Sequence, residues 1–149
     1  MTGSPARIGK PSERAWPSRS FALASAICIG AATATNLGLY AIGRATAAAL
    51  RIDPGLGEPN HVIVPWDVAW KTAVPLAVGA LVLALVARRF PRWTILAISA
   101  GAVPVVISIP FVLAGAHDLA TGLLLAGMHT IGGLAYVVIG ILARWSSNP

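Results

Sequence analysis

Charged residues are scarce in this chain. Only 11% of its 149 residues are charged, whereas 56% are hydrophobic, and the mean hydropathy is +0.76. An ordinary soluble domain has roughly 25% charged residues. A folded chain of this size keeps much of its surface in solvent, so one core cannot bury so much apolar surface. The composition therefore excludes a typical soluble domain and indicates a protein that lies in lipid.

The chain has a single cysteine and lacks the common catalytic motifs. Cys28 is the single cysteine. One thiol excludes a disulfide framework, a paired-cysteine redox motif and a multi-thiolate metal site within one chain. The sequence contains no GxSxG, no HExxH and no glycine-rich phosphate loop. We therefore predict a non-catalytic protein with no cofactor and no metal.

Charge is missing above all from four long apolar segments. About 20 apolar residues in a helix cross a hydrocarbon core of ~30 Å, so these segments predict four transmembrane helices. For the second span, which is short, we expect Asp67 to be the N-cap and the Lys71 ammonium to reach the membrane surface. The predicted fold class is an all-α membrane protein with a compact four-helix bundle. The domain covers residues 21–145, with spans at residues 21–43, 68–87, 93–116 and 119–143.

The basic residues lie outside the spans and predict their orientation. Eight Lys and Arg residues flank the side that holds both predicted termini, and three flank the other side. Because cytoplasmic loops carry the excess of such residues, we expect both termini in the cytoplasm, in a bacterial plasma membrane. Residues 1–20 are predicted to be a disordered basic tail, and residues 44–67 an outer loop. The net charge of +6 is thus an orientation signal and does not indicate binding to nucleic acid.

The tryptophans fall at the predicted membrane boundaries and none falls within a span. Indole rings favour the interface between lipid and water, since one end is apolar and the other polar. We therefore predict that the five act as interface anchors: Trp16, Trp66, Trp70, Trp93 and Trp145.

Few polar side chains lie within the spans, and each is costly in hydrocarbon unless it is hydrogen-bonded. The spans lack a central carboxylate, which argues against a proton-coupled carrier of the small multidrug resistance type. Asn36, Ser108 and His129 fall at similar depths in spans one, three and four. We predict that they form an intramembrane polar layer. Asn36 and His129 are expected to bond directly or through one water, with Ser108 nearby or bonded to its own helix.

Small residues and prolines predict how the helices pack. Gly30, Ala34 and Gly38 recur at every fourth residue of span one, and we expect this stripe to contact the bundle rather than a second copy. Pro104 and Pro110 remove backbone donors from span three. They should kink that helix, and a kinked helix can open a small cavity.

Four segments carry a family resemblance. They are TNLGLYAIGRA in span one, WKTAVPLAVGALVLALVARR around span two, VISIPF in span three and MHTIGGLAYVVIG in span four. Together they resemble a family of small actinobacterial four-span membrane proteins catalogued only as domain of unknown function 6069. The resemblance covers about residues 21–144. It implies a compact integral membrane protein and supplies no activity, substrate or cofactor.

These observations favour a structural or accessory membrane protein. Its partners would be the lipid bilayer and either another membrane protein or further copies of itself. The alternative is a small-ligand carrier or binder with a cavity near Asn36, Ser108 and His129. A third possibility is an intramembrane enzyme in which His129 is the acid or base.

Overall fold

Within residues 19–55 and 57–147, which the computed structural model describes, four long helices dominate the fold. Each helix is long and apolar enough to cross a membrane, so the predicted all-α, four-span fold class is confirmed. Trp16 and most of the predicted tail lie outside the described residues. The helices are α1 (Arg19–Ala45), α2 (Pro65–Arg89), α3 (Thr94–Gly115) and α4 (Leu119–Ser147).

The start of α2 differs from the prediction. Pro65 is the first helical residue, a position that suits proline because its missing N–H would have no partner there. Val64 is therefore the N-cap, and its N–H donates to Asp67 Oδ2 at 3.3 Å. The prediction that Asp67 is the N-cap was wrong by one turn. Its carboxylate still bonds an amide at the helix start.

A small hairpin joins α1 to α2. Its strands are β1 (Arg51–Ile52) and β2 (His61–Val62), which pair antiparallel. The hairpin is also bonded to the connection between α3 and α4, because Asp53 N–H donates to the Gly115 carbonyl at 2.8 Å. We call the end of the bundle that holds both connections the loop end. The described chain begins and ends at the opposite end.

Helix α4 is the centre of the packing. It packs against all three other helices, whereas α3 packs chiefly on α4 and only weakly on α2. Leu83 of α2 and Ile139 of α4 are fully buried in the main apolar core. At the loop end, Ile63 of the hairpin is buried in a second cluster with Met128 of α4. The weak contact between α2 and α3 leaves space between them in the loop-end half.

The stripe of small residues on α1 faces away from the bundle. Gly30, Ala34 and Gly38 are all exposed, and a Cβ on either glycine would meet nothing within 4 Å outside its own helix backbone. The expectation that this stripe packs within the bundle was wrong. The buried face of α1 is instead the one that carries Ala32 and Asn36.

The described tryptophans all lie at helix ends and are exposed. Trp66 and Trp70 are in the first turns of α2, Trp93 directly precedes α3, and Trp145 is near the end of α4. These positions suit side chains at a membrane boundary. Their role as interface anchors stays a prediction.

Two carboxylates, Asp118 and Asp53, stabilise the loop end by hydrogen bonds. Asp118 accepts hydrogen bonds from the backbone N–H groups of Thr121 and Ala49, both at 2.6 Å, and these bonds lower its pKa. Asp53 Oδ1 lies 3.0 Å from His117 Nε2 and accepts the Asn60 N–H. The bond with His117 is the main cause that lowers the pKa of Asp53.

Acidification should therefore loosen the loop end. A carboxyl whose pKa is lower in the folded state stabilises the fold at pH values above its unfolded pKa. That contribution is lost as the pH falls through the folded pKa. We expect Asp118→Asn, whose amide oxygen accepts but does not titrate, to lose less thermal stability on acidification than the wild type. Glu58→Gln is the control, and an equal acid dependence of the wild type and Asp118→Asn would contradict the assignment.

Candidate functional site

A cavity of about 690 Å³ lies in the loop-end half of the bundle, where α2 and α3 make few contacts. All four helices and the connecting hairpin contribute to its wall. Sites for small molecules in proteins are typically about 300 to 1,000 Å³ and mostly apolar. The space between the helices is therefore large enough for a small ligand.

Asn36 of α1 joins three helices at the wall of this cavity. Its Nδ2 donates to Thr72 Oγ1 of α2 at 3.0 Å and to the Met128 carbonyl of α4 at 3.3 Å. Because a carbonyl only accepts, the amide nitrogen must face Met128. The residue is 2% exposed, and its Oδ1 is buried with no partner among the described residues. A buried oxygen without a donor is destabilising, so this atom is a weak point in the packing of the three helices.

His129 of α4 also lines the cavity and is half-buried. Its Nδ1 lies 2.9 Å from the Leu125 carbonyl of its own helix, so Nδ1 carries a hydrogen and donates it to that carbonyl. No described residue bonds Nε2, which is therefore free. The predicted direct bond from Asn36 to His129 is absent, because both side chains donate to other groups. A bond through one water stays a prediction.

Ser108 does not belong to the cavity wall. Its Oγ donates to the Val105 carbonyl of the same helix at 2.7 Å, which is one of the two predicted alternatives. The wall on α3 is formed instead by Gly101, Val105 and Val112. The structure thus brings Asn36 and His129 to one cavity and leaves Ser108 outside it.

Charged side chains stand at the loop end of the cavity. Asp67 Oδ2 lies 3.0 Å from His61 Nε2, and Asp67 Oδ1 lies 3.3 Å from Lys71 Nζ. Lys71 therefore has a carboxylate partner that was not predicted, although its spacing of four residues from Asp67 indicates one. Among residues 19–55 and 57–147, no three His, Cys, Asp or Glu side chains are grouped so as to hold a metal ion.

Tyr136 of α4 forms the deep floor of the cavity. Its ring lies between Gly79 of α2 and Gly101 of α3, and a Cβ on Gly79 would come within 2.9 Å of the ring. The phenol hydroxyl donates to the Ala97 carbonyl at 3.0 Å. This tyrosine belongs to the motif MHTIGGLAYVVIG. The motif does not reveal its role, because the two glycines that contact its ring lie on other helices.

Two further wall residues were not singled out from the sequence. Pro75 of α2 lines the cavity, whereas the exposed Pro104 and Pro110 of α3 do not. Pro75 has no N–H and so leaves the carbonyl of Lys71, four residues earlier, without its helical partner. Gly132 also lines the cavity, and a Cβ there would meet nothing within 4 Å. Its missing side chain leaves open space at the wall.

Comparison with known protein families identifies a match. The model of a protein family described as a family of unknown function, DUF6069, matches residues 17–148. No match was found among curated proteins, and none among solved structures. The matched segment contains all four helices and the entire cavity wall.

Proposed function

The chain belongs to the family of unknown function DUF6069, and we propose that it binds a small, largely apolar molecule inside the membrane, without catalysis. The observation that carries this proposal is the cavity of about 690 Å³, whose wall is mostly apolar and includes the polar residues Asn36, Thr72 and His129. A ligand in such a cavity would be held by apolar contacts and oriented by a few polar atoms.

The proposed setting is a bacterial plasma membrane with both termini in the cytoplasm. The excess of basic residues at that side supports this orientation. The charged group of His61, Asp67 and Lys71 would then stand at the outer face, and the cavity would be reached from outside or from the outer leaflet.

The polar groups of the deep wall suit binding better than catalysis. The Tyr136 hydroxyl already donates to a carbonyl, and the imidazole of His129 is held by the Leu125 carbonyl. General acid–base chemistry by His129 would use its free Nε2, but its Nδ1 bonds a neutral carbonyl rather than a carboxylate that would stabilise the charged ring. We therefore expect that neither the wild type nor His129→Ala turns over any substrate tested.

Filling the cavity tests the proposal. We expect 1-decanol to raise the thermal unfolding temperature of the detergent-solubilised wild type, because a ligand that binds only the folded state stabilises it, by ~2.7 kcal/mol at 100 times Kd. Gly132→Phe places a ring in the open space at the wall and should remove most of this shift. The matched control is Gly30→Phe, at an exposed position away from the cavity, which should keep it. Equal shifts in all three proteins, or no shift in the wild type, would contradict the proposal.

The second candidate is a structural or accessory role, in which the chain contacts another membrane protein or a second copy. The exposed small residues Gly30, Ala34 and Gly38 favour it, because such faces allow helices to approach closely in lipid. Native mass spectrometry from detergent separates the two candidates. A monomer that retains a small molecule supports binding, whereas a stable oligomer with an empty cavity supports the accessory role.

A further inference from the structure

We propose that an anionic phospholipid binds at the end of the bundle opposite the loop end, beside the connection between α2 and α3. One acyl chain would lie in an apolar groove between these helices, and the phosphate would lie at Arg89 and Arg92. The groove and the cavity share no wall residue. This lipid site is therefore separate from the proposed function.

The groove lies between two helices that pack only weakly on each other. Side chains of α2, of α3 and of their connection form its wall: Val86, Phe90, Trp93, Leu96, Ala97 and Ala100. None of these side chains is charged, and the indole N–H of Trp93 is their one polar group. A hydrocarbon chain suits such a wall. An acidic peptide would have to lay its backbone polar groups against it without partners, which is costly.

Two arginines stand beside this groove. Arg92 Cζ lies 5.9 Å from the centroid of the Trp93 ring, so this guanidinium is held at a residue of the groove wall. Arg89 follows Val86 by three residues on α2, and residues at that spacing lie on the same side of a helix. Both arginines are exposed. A guanidinium can bind two phosphate oxygens at once through parallel N–H bonds.

No described Asp or Glu competes for these arginines. The acidic residues of the described chain all lie at the loop end: Asp53, Glu58, Asp67 and Asp118. The opposite end carries only basic side chains among the described residues: Arg19, Arg88, Arg89, Arg92 and Arg144. Basic groups between membrane helices attract anionic headgroups. The ammonium of a zwitterionic lipid would be repelled by the same arginines.

The start of α3 adds a further preference for an anion. This helix of 22 residues begins at Thr94, its N-cap Trp93 makes no side-chain hydrogen bond, and its first turn holds no acidic residue. The positive end of the helix dipole is thus not offset by a carboxylate. The groove selects a hydrocarbon chain, whereas the arginines and the helix start select an anion. An anionic phospholipid carries both groups in one molecule.

Competition between two lipids tests this site. The detergent-solubilised protein is mixed with equal amounts of dioleoyl phosphatidylglycerol and dioleoyl phosphatidylcholine, and the bound lipids are counted by native mass spectrometry. Because the acyl chains are identical, only the headgroups can cause a difference. We expect the wild type to retain the anionic lipid about tenfold more than the zwitterionic lipid.

Paired substitutions assign this preference to the two arginines. Arg89→Gln combined with Arg92→Gln should bring the retention of the two lipids within about twofold of each other. The matched control combines Arg19→Gln with Arg144→Gln, which removes the same charge from α1 and α4, two helices with no residue in the groove wall. It should keep most of the preference. The unfolding temperature in lipid-free detergent, expected to be nearly unchanged, shows that both variants are folded.

A substitution in the groove tests the position of the acyl chain. Ala100 is exposed and lines the groove, so Ala100→Phe places a ring where the chain would lie. We expect it to lower the retention of phosphatidylglycerol severalfold. Ala26→Phe is the matched control, because Ala26 is exposed at a similar distance from the same end of the bundle but lies on α1. It should retain as much phosphatidylglycerol as the wild type.

Each part of the proposal has an outcome that would overturn it. Equal retention of both lipids by the wild type contradicts an anionic lipid. A preference that survives the loss of Arg89 and Arg92, or that falls equally in the control pair, contradicts the role of these arginines. Retention that Ala100→Phe leaves unchanged contradicts the groove. Binding of 1-decanol in the cavity is measured separately with Gly132→Phe, so a failure of either site is distinguished from a failure of the other.

Discussion

Gly101→Leu should separate α3 from the rest of the bundle. A Cβ at this position would overlap the ring and hydroxyl of Tyr136. The ring cannot retreat towards α2, because Gly79 is in close contact with its other edge, and a movement into the cavity would break the bond from its hydroxyl to the Ala97 carbonyl. Overpacking of this kind costs about 1 to 3 kcal/mol, and loss of the phenol's hydrogen bond adds about 1 kcal/mol. We expect a loss of about 3 kcal/mol in unfolding free energy, measured by denaturant titration in detergent.

Two further variants show whether Tyr136 is the cause. Gly30→Leu adds the same side chain at a position with open space and should leave the unfolding free energy nearly unchanged. In a Tyr136→Ala background the ring is absent, so Gly101→Leu should cost much less than it does alone. A Gly101→Leu protein as stable as Gly30→Leu would show that Tyr136 does not form the floor between α2 and α3.

Thiol labelling should distinguish the two ends of the bundle in an all-or-none manner. In a Cys28→Ala background, Pro59→Cys at the loop end should react with a membrane-impermeant maleimide in intact cells. Ser146→Cys, near the end of α4, should not react. Both positions are exposed, so burial in the protein does not explain a difference. We expect this difference because eight Lys and Arg residues flank the side of the termini and three flank the other side, and the side with more of them is cytoplasmic.

Permeabilised cells supply the control for this labelling. Once the membrane is open, both introduced thiols should react, which shows that each is chemically available. Labelling of Ser146→Cys in sealed cells, with Pro59→Cys protected, would reverse the orientation. It would also place the charged group of His61, Asp67 and Lys71 on the cytoplasmic side, so the cavity would be reached from inside the cell.

Part of the candidate site follows from local sequence. Asn36 and His129 were predicted because a polar side chain inside a 20-residue apolar run is costly, and that cost is visible without a fold. Ser108 met the same criterion and yet lies outside the cavity wall. Its hydroxyl is satisfied by a carbonyl three residues away, an arrangement open to any serine in a helix. Depth in the membrane therefore could not distinguish Ser108 from the other two.

The partners of these side chains did not follow from the sequence. Asn36 bonds Thr72 and Met128 rather than His129, because the rotation of each helix about its axis decides which groups meet. The same rotation turns Gly30 and Gly38 towards lipid, although their spacing suits contact within a bundle. A membrane helix is apolar on every side, because both lipid and the bundle interior are apolar. It therefore lacks the polar face that would reveal how the helix is rotated about its axis.

The number, length and apolar character of the helices were determined by the sequence alone. A run of about 20 apolar residues needs no distant contact to be recognised, because the thickness of the hydrocarbon core sets its length. The cavity was decided only by the tertiary structure. It exists because α3 packs on α4 and barely on α2, while Tyr136 fills the deep end of the gap and Gly132 leaves the wall open. Such a space depends on the fit between side chains of different helices, and no local pattern in a chain records it.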